Sequence, residues 1–113
     1  MFDVEQTKAD LVHTINYLAD HKWLQGRLFD RFGGCCGFGA MLLATGDAGK
    51  PLSQQDRSAN VARAFYRVTG SNIITYNDEL GRTKTEVLVK MREVLDVLRS
   101  DPDRAMGKEP RRG

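Results

Sequence analysis

Cysteine is nearly absent from this chain, with two residues in 113, and the two are neighbours, Cys35 and Cys36. Adjacent cysteines close only a strained vicinal ring, so a secreted scaffold stapled by long-range disulfides is excluded and a reducing cytoplasm is the expected setting. Long apolar runs are missing too. The longest, Phe38 to Ala44 with Gly39 inside it, falls far short of the roughly 20 residues that a membrane-spanning helix needs, and the acidic stretch Met1 to Asp10 does not read as a secretory leader. No membrane association is expected.

One-sided charge is also lacking. Seventeen Lys and Arg stand against fifteen Asp and Glu, a net charge of +2 that gives no ground for a nucleic-acid partner. Most of the excess lies in the last ten residues, where Arg104, Lys108, Arg111 and Arg112 face one acid, Glu109. Histidine is scarce as well. His13 and His21 would lie about 12 Å apart along one helix, and adjacent cysteines lack the two-to-four-residue spacing of zinc ligands. No metal or cofactor is expected.

What remains is a chain of the right length for one small domain. Thr7-Lys8-Ala9-Asp10 fits a capping box opening a first helix, whose face Leu11, Ile15, Leu18 and the stem of Lys22 would line to an end near His21. Residues 23–32 mix Trp, Leu and Phe with Gly and charge, which fits an irregular or β-hairpin-like insertion. Cys36 to Thr45 reads as a short, nearly all-apolar helix stopped by Gly46, and residues 46–52 as an exposed loop. Ser53 to Asp56 resembles the cap of a third helix through Val61, Ala64, Phe65 and Val68. Ile73, Ile74 and Tyr76 fit an extended connector. Thr83-Lys84-Thr85-Glu86 is the cleanest capping box, followed by Val87, Leu88, Met91, Val94, Leu95 and Leu98 at helical spacing, with a stop before Pro102. The expected fold is mainly α: one compact four-helix domain over residues 1–101, with a disordered basic tail over 102–113.

Two turns carry the residues with chemistry to offer. In the first, Gly33 to Gly37, Cys36 stands at a helix N-terminus, where free amides lower a thiol pKa. A nucleophilic Cys36 would need His13 or His21 as its base and Asp78 or Asn77 to orient that base. The commoner fate of such cysteines is that of small buried apolar residues. In the second turn, Asn77 to Thr83, Asp78 accepts amide protons, Gly81 permits a left-handed backbone and Arg82 offers a planar fork to an anion. The same residues equally cap the turn and pair internally. Trp23, with Gln25 and Gly26, fits either a recognition edge or a lid on the core.

Trp23 with Gln25-Gly26, Cys36-Gly37-Phe38-Gly39-Ala40-Met41, and Asn77-Asp78 with Gly81-Arg82-Thr83 and Glu86-Val87-Leu88 together resemble an uncharacterised family of small proteins of actinobacteria and their phages. The resemblance spans residues 8 to 98. It departs at Tyr76, where the family more often has Trp, and at Met41, where it has Leu. It implies a cytoplasmic protein of phage or actinobacterial origin and carries no established activity. The leading expectation is a non-enzymatic accessory protein, monomer or homodimer, that binds a host protein where the two turns meet, through Asn77, Asp78, Gly81, Arg82, Trp23 and Gln25. The alternatives are a hydrolase or transferase using Cys36, and a weak nucleic-acid binder using the basic tail.

Overall fold

The computed structural model describes residues 3–106, and its regular elements are all helical, with no strand among those residues. Six α-helices follow in order: α1 (Val4–Asp20), α2 (Gly37–Thr45), α3 (Asp56–Thr69), α4 (Ile73–Asp78), α5 (Lys84–Ser100) and α6 (Pro102–Met106). A single 3-10 turn, Leu52–Gln54, precedes α3. The four expected helices are all present, as α1, α2, α3 and α5, and two more join them.

The core follows the helical periodicities. Leu11, Ile15 and Leu18 of α1 meet Ala40 and Met41 of α2, Val61, Ala64 and Phe65 of α3, and Val87, Met91, Val94 and Leu98 of α5. The apolar helix α2 packs between α1, α3 and α4. Its two glycines set the close approaches. A Cβ on Gly39 would overlap the Leu28 carbonyl oxygen, and one on Gly37 would stand 2.9 Å from the Ile73 side chain.

Several local expectations are corrected. Helix α1 is capped by Asp3, whose carboxylate accepts the Gln6 amide at 3.0 Å, so Thr7 is interior and no capping box forms there. Asp10 is instead buried and paired with Arg57 of α3, 47 positions away. Lys22 falls outside the helix and is exposed, because the chain turns extended at His21. Helix α3 receives no cap from Ser53. The buried carboxylate of Asp47 accepts the Ser58 amide at 2.8 Å and does that work from across the loop. Loop 46–52 therefore contains one buried anchor among its exposed residues.

The run Ile73-Ile74-Thr75 is helix α4 and not extended backbone. Asn72 caps it by accepting the Ile74 amide at 2.8 Å, and burial of Ile73 outweighs the β-preference of its neighbours. Pro102 does end α5, yet it also opens α6, since a proline at the first helical position forfeits no needed hydrogen bond. Ala105 and Met106 of α6 are buried against α3 and α5, so the domain extends past residue 101. Residues 107–113 of the expected tail lie outside the described residues. The insertion at 23–32 is no hairpin. It is a loop held by two isolated bridges, Trp23 and Phe29 each to Cys35.

The expected capping box at Thr83 is present in full: the Thr83 hydroxyl accepts the Glu86 amide at 3.2 Å, and the Glu86 carboxylate accepts the Thr83 amide at 2.9 Å. The Thr83 amide and the Thr83 hydroxyl both donate to the Glu86 carboxylate and hold it below its ordinary pKa, with Arg82 assisting.

Candidate functional site

The two turns meet, and a single buried side chain joins them. Asn77, at the end of α4, is fully buried. Its carbonyl oxygen accepts the Gly37 amide at 2.8 Å, at the N-terminus of α2, and the Trp23 indole N–H at 2.7 Å. Its amide group donates to the Leu24 carbonyl at 3.0 Å and to the Asp78 carboxylate at 2.8 Å. Three segments distant in sequence, residues 23–26, 36–39 and 77–82, are thereby fastened at one point. Gln25 adds two bonds, from its amide to the carbonyls of Asn77 and Glu79 at 3.0 Å each, and the Gly26 amide donates to Asp78 at 3.0 Å.

Arg82 closes the second turn from outside. Its guanidinium lies 3.7 Å above the Tyr76 ring centroid, its Nε donates to the Tyr76 carbonyl at 2.9 Å, and its remaining nitrogens pair with Glu79 and Glu86. The fork is thus engaged within the turn. Gly81 takes a left-handed backbone at φ +82°, which lets the chain reverse from α4 into α5.

Of the residues singled out in the sequence, Trp23, Gln25, Cys36, Asn77, Asp78, Gly81 and Arg82 belong to this junction, and the histidines do not join it. His13 is exposed on α1. His21 stacks on Tyr17 with ring centroids 3.7 Å apart, bonds through Nδ1 to the Tyr17 carbonyl, and its own carbonyl accepts the Lys84 ammonium.

Beside the junction lies a cleft of about 270 Å³, walled by Leu28, Cys36, Phe38 and Ile74, with Gly26 at its edge and Arg27 and Asp78 at its rim. Neither histidine lines it. Cys36 is buried, and its Sγ accepts the Gly39 amide at 3.3 Å. Burial raises its thiol pKa, the Asp78 charge raises it further, and the amides of Gly39 and Phe38 offset this only in part. Cys35, fully buried behind it, is pushed up to about 11, chiefly by burial and then by Cys36. Both thiols are free. The arrangement supplies a neutral, weakly polar wall and does not supply a thiolate.

The loop that follows the junction is stiffened by Asp30, whose carboxylate accepts the amides of Gly34 at 2.7 Å and Phe32 at 2.9 Å and is held below its ordinary pKa by them. This fixes an outward-facing apolar set. Phe32 is 83% exposed, and Leu28 and Phe29 are each 38% exposed. Across the junction, Ile74 is 43% exposed and Leu80 fully so.

Sequence reasoning missed the apolar members, Leu28, Phe29, Phe32, Phe38 and Ile74. The available signal was the presence of Leu28, Phe29 and Phe32 in a segment without periodicity, where an apolar side chain has no helix face or strand face to bury it. Among the described residues no group of acidic, His or Cys side chains is arranged to hold a metal ion, and no helix is long and apolar enough to cross a membrane.

Residues 3–98 match the model of DUF6197, a family of unknown function. No curated protein and no solved structure matches the chain.

Proposed function

We propose that this chain, which belongs to the DUF6197 family, is a non-enzymatic accessory protein of phage or actinobacterial origin that binds a host protein at the junction of its two turns. One observation carries the reading. Of the eight large apolar side chains exposed among the described residues, five (Leu28, Phe29, Phe32, Ile74 and Leu80) lie in residues 28–32 and 74–80, the stretches that adjoin or contain the residues Asn77 fastens, so exposure is concentrated beside the hydrogen-bonded junction. Scattered exposed apolar residues need no explanation, whereas a concentrated set on a rigid frame favours association. The polar residues Trp23, Gln25, Asn77 and Arg82 supply the frame, and the apolar residues supply the contact.

Two other readings find less support. A Cys36 enzyme lacks an adjacent base and a lowered thiol pKa, the two features such a nucleophile requires. For nucleic-acid binding through the tail, only Arg104 of its four cations is among the described residues, and it donates to the Val68 carbonyl at 3.4 Å.

The test is site-specific photo-crosslinking in an actinobacterial lysate, with a photoreactive phenylalanine analogue at Phe32 or at Leu52. Leu52 is 87% exposed and lies outside both segments, so it controls for exposure alone. A protein adduct formed at position 32 and absent at position 52 is expected. Equal labelling from both positions would overturn the assignment.

A further inference from the structure

The cleft beside Asn77 has properties that narrow the chemistry of what it receives. Its volume, about 270 Å³, lies just under the range of roughly 300–1,000 Å³ usual for sites that enclose a whole small molecule. Its walls are apolar side chains and a neutral thiol. Both sides are fixed by backbone: the Leu28 carbonyl accepts the Cys36 amide at 3.1 Å and abuts Gly39, while Asp78 holds the Gly26 amide at 3.0 Å. At the rim stand charges of opposite sign that are not paired with each other. Arg27 makes no ion pair among the described residues, and Asp78 accepts only neutral donors, Gly26 and Asn77, so its charge is unmet by any cation there.

We infer that the cleft is a socket for one leucine-sized or phenylalanine-sized side chain of a protein partner, presented on a segment with an acidic residue on one side and a basic residue on the other. This rests on the interaction reading above and names the chemistry of its contact. A shallow apolar socket with a charged rim is the arrangement in which one buried anchor dominates binding and the surrounding polar groups exclude water and set orientation. Arg27 receives the partner's carboxylate and Asp78 its ammonium, so opposite charges fix the direction in which the segment lies.

The probe is the blocked peptide acetyl-Glu-Ala-Leu-Ala-Lys-amide, titrated into the full-length protein and followed through the backbone amide resonances of Cys36, Phe38 and Ile74. Saturable shifts confined to the cleft are expected. Replacing the peptide's leucine by alanine should weaken binding about tenfold or more, since the buried apolar area is lost. Replacing its Glu and Lys by Gln should weaken it about threefold, in line with exposed charge pairs. Ile74→Trp fills the cleft from a half-exposed helical position and should abolish the shifts without unfolding the domain. Asp78→Asn should reduce the affinity of the charged peptide and leave that of the Gln peptide unchanged. Equal binding of the leucine and alanine peptides, or undiminished binding to Ile74→Trp, would overturn the socket. If crosslinking from Phe32 succeeds and Ile74→Trp leaves it intact, the socket fails while the interaction surface stands. If the peptide binds as expected and crosslinking fails, the socket stands and the host-protein reading falls.

Discussion

Replacing Asn77 should expose how much of the domain depends on one buried amide. In Asn77→Ala, the Gly37 amide and the Trp23 indole N–H both lose their acceptor, and the Leu24 carbonyl loses a donor. A buried donor left without a partner costs about 1–3 kcal/mol. Gly37 is buried and takes the full penalty, while Trp23 is half-buried and recovers part of it from water. The expected loss is about 3–5 kcal/mol, a large share of the roughly 5–15 kcal/mol available to a domain of this size. Urea denaturation followed by tryptophan fluorescence reads the loss directly, because Trp23 is the chain's single tryptophan and one of the groups being orphaned.

Asn77→Asp separates hydrogen bonding from mere volume. Its carboxylate keeps both acceptor functions for Trp23 and Gly37 but loses the donor to Leu24, and it places a second negative charge against Asp78. Burial and that charge raise the folded-state pKa above its unfolded value near 3.9, so the variant is penalised at neutral pH, and the penalty fades as pH falls toward the unfolded value. Once protonated, the acid regains an O–H to donate. The stability gap between wild type and Asn77→Asp should therefore close by about 1.4 kcal/mol per unit of pH across the window between the two pKa values. Taking the difference between the two proteins cancels the titrating groups remote from position 77, and what remains is the new carboxyl coupled to its neighbour Asp78. A loss below about 1 kcal/mol in Asn77→Ala, or a gap in Asn77→Asp that stays constant from neutral pH to near pH 4.5, would refute the role assigned to this side chain.

Gly39→Ala should be strongly destabilising, because its Cβ would press on the Leu28 backbone, whereas Gly46→Ala, in open space at φ +80°, should cost only the left-handed strain of about 1–2 kcal/mol; paired urea curves check the contrast. Arg57→Met should cost about 2–3 kcal/mol by thermal or urea unfolding, since it leaves the buried Asp10 carboxylate without its cation, while Asp10→Asn with Arg57→Met together should cost less than Arg57→Met alone. Acidification should destabilise the fold. Burial alone would raise the Asp47 pKa, but the Ser58 bonds and Lys50 bring it below its ordinary value, and Asp30 is lowered by the Gly34 and Phe32 amides. Groups lowered in this way stabilise above the unfolded carboxylate pKa, and the contribution is lost as pH falls through the folded one, so Asp47→Asn should flatten the decline in urea midpoint below about pH 4. Iodoacetamide should label Cys36 in the native protein far more slowly than in urea; equal rates would revive a reactive thiol.

What could be read in the sequence follows the reach of the interaction involved. The capping box of α5 joins residues three apart, and the stop of α2 is a glycine at the very next position, so both were legible. The cap of α3 comes from Asp47, eleven positions before the amide it binds, and the partner of Asp10 lies 47 positions on, so neither leaves a local pattern. Helix α4 is six residues long, too short for periodicity to compete with its β-branched composition, and the Asn72 cap together with the burial of Ile73 decides it. Pro102 is legible as the stop of α5, and the packing of Ala105 and Met106 that makes it also a start is a tertiary fact.

The same logic separates frame from surface at the junction. Trp23, Gln25, Asn77 and Arg82 drew notice in the sequence because their side chains carry donors, acceptors and charge, and such groups are costly to bury unless paired. Here each is paired internally, so the most chemically expressive residues fold the junction. Leu28, Phe32 and Ile74 drew no notice because a scattered apolar side chain is assumed to belong to a core. Their exposure is informative only once the frame behind them is known, since an apolar residue on a slack loop can fold back and one on a hydrogen-bonded frame cannot. It follows that loosening the frame should impair partner contact even where no contacting side chain is changed. Gln25→Ala, at an exposed position that makes two bonds to the second turn, should weaken crosslinking from Phe32 with little loss of global stability. Undiminished crosslinking in that variant would mean that the apolar set acts without its scaffold.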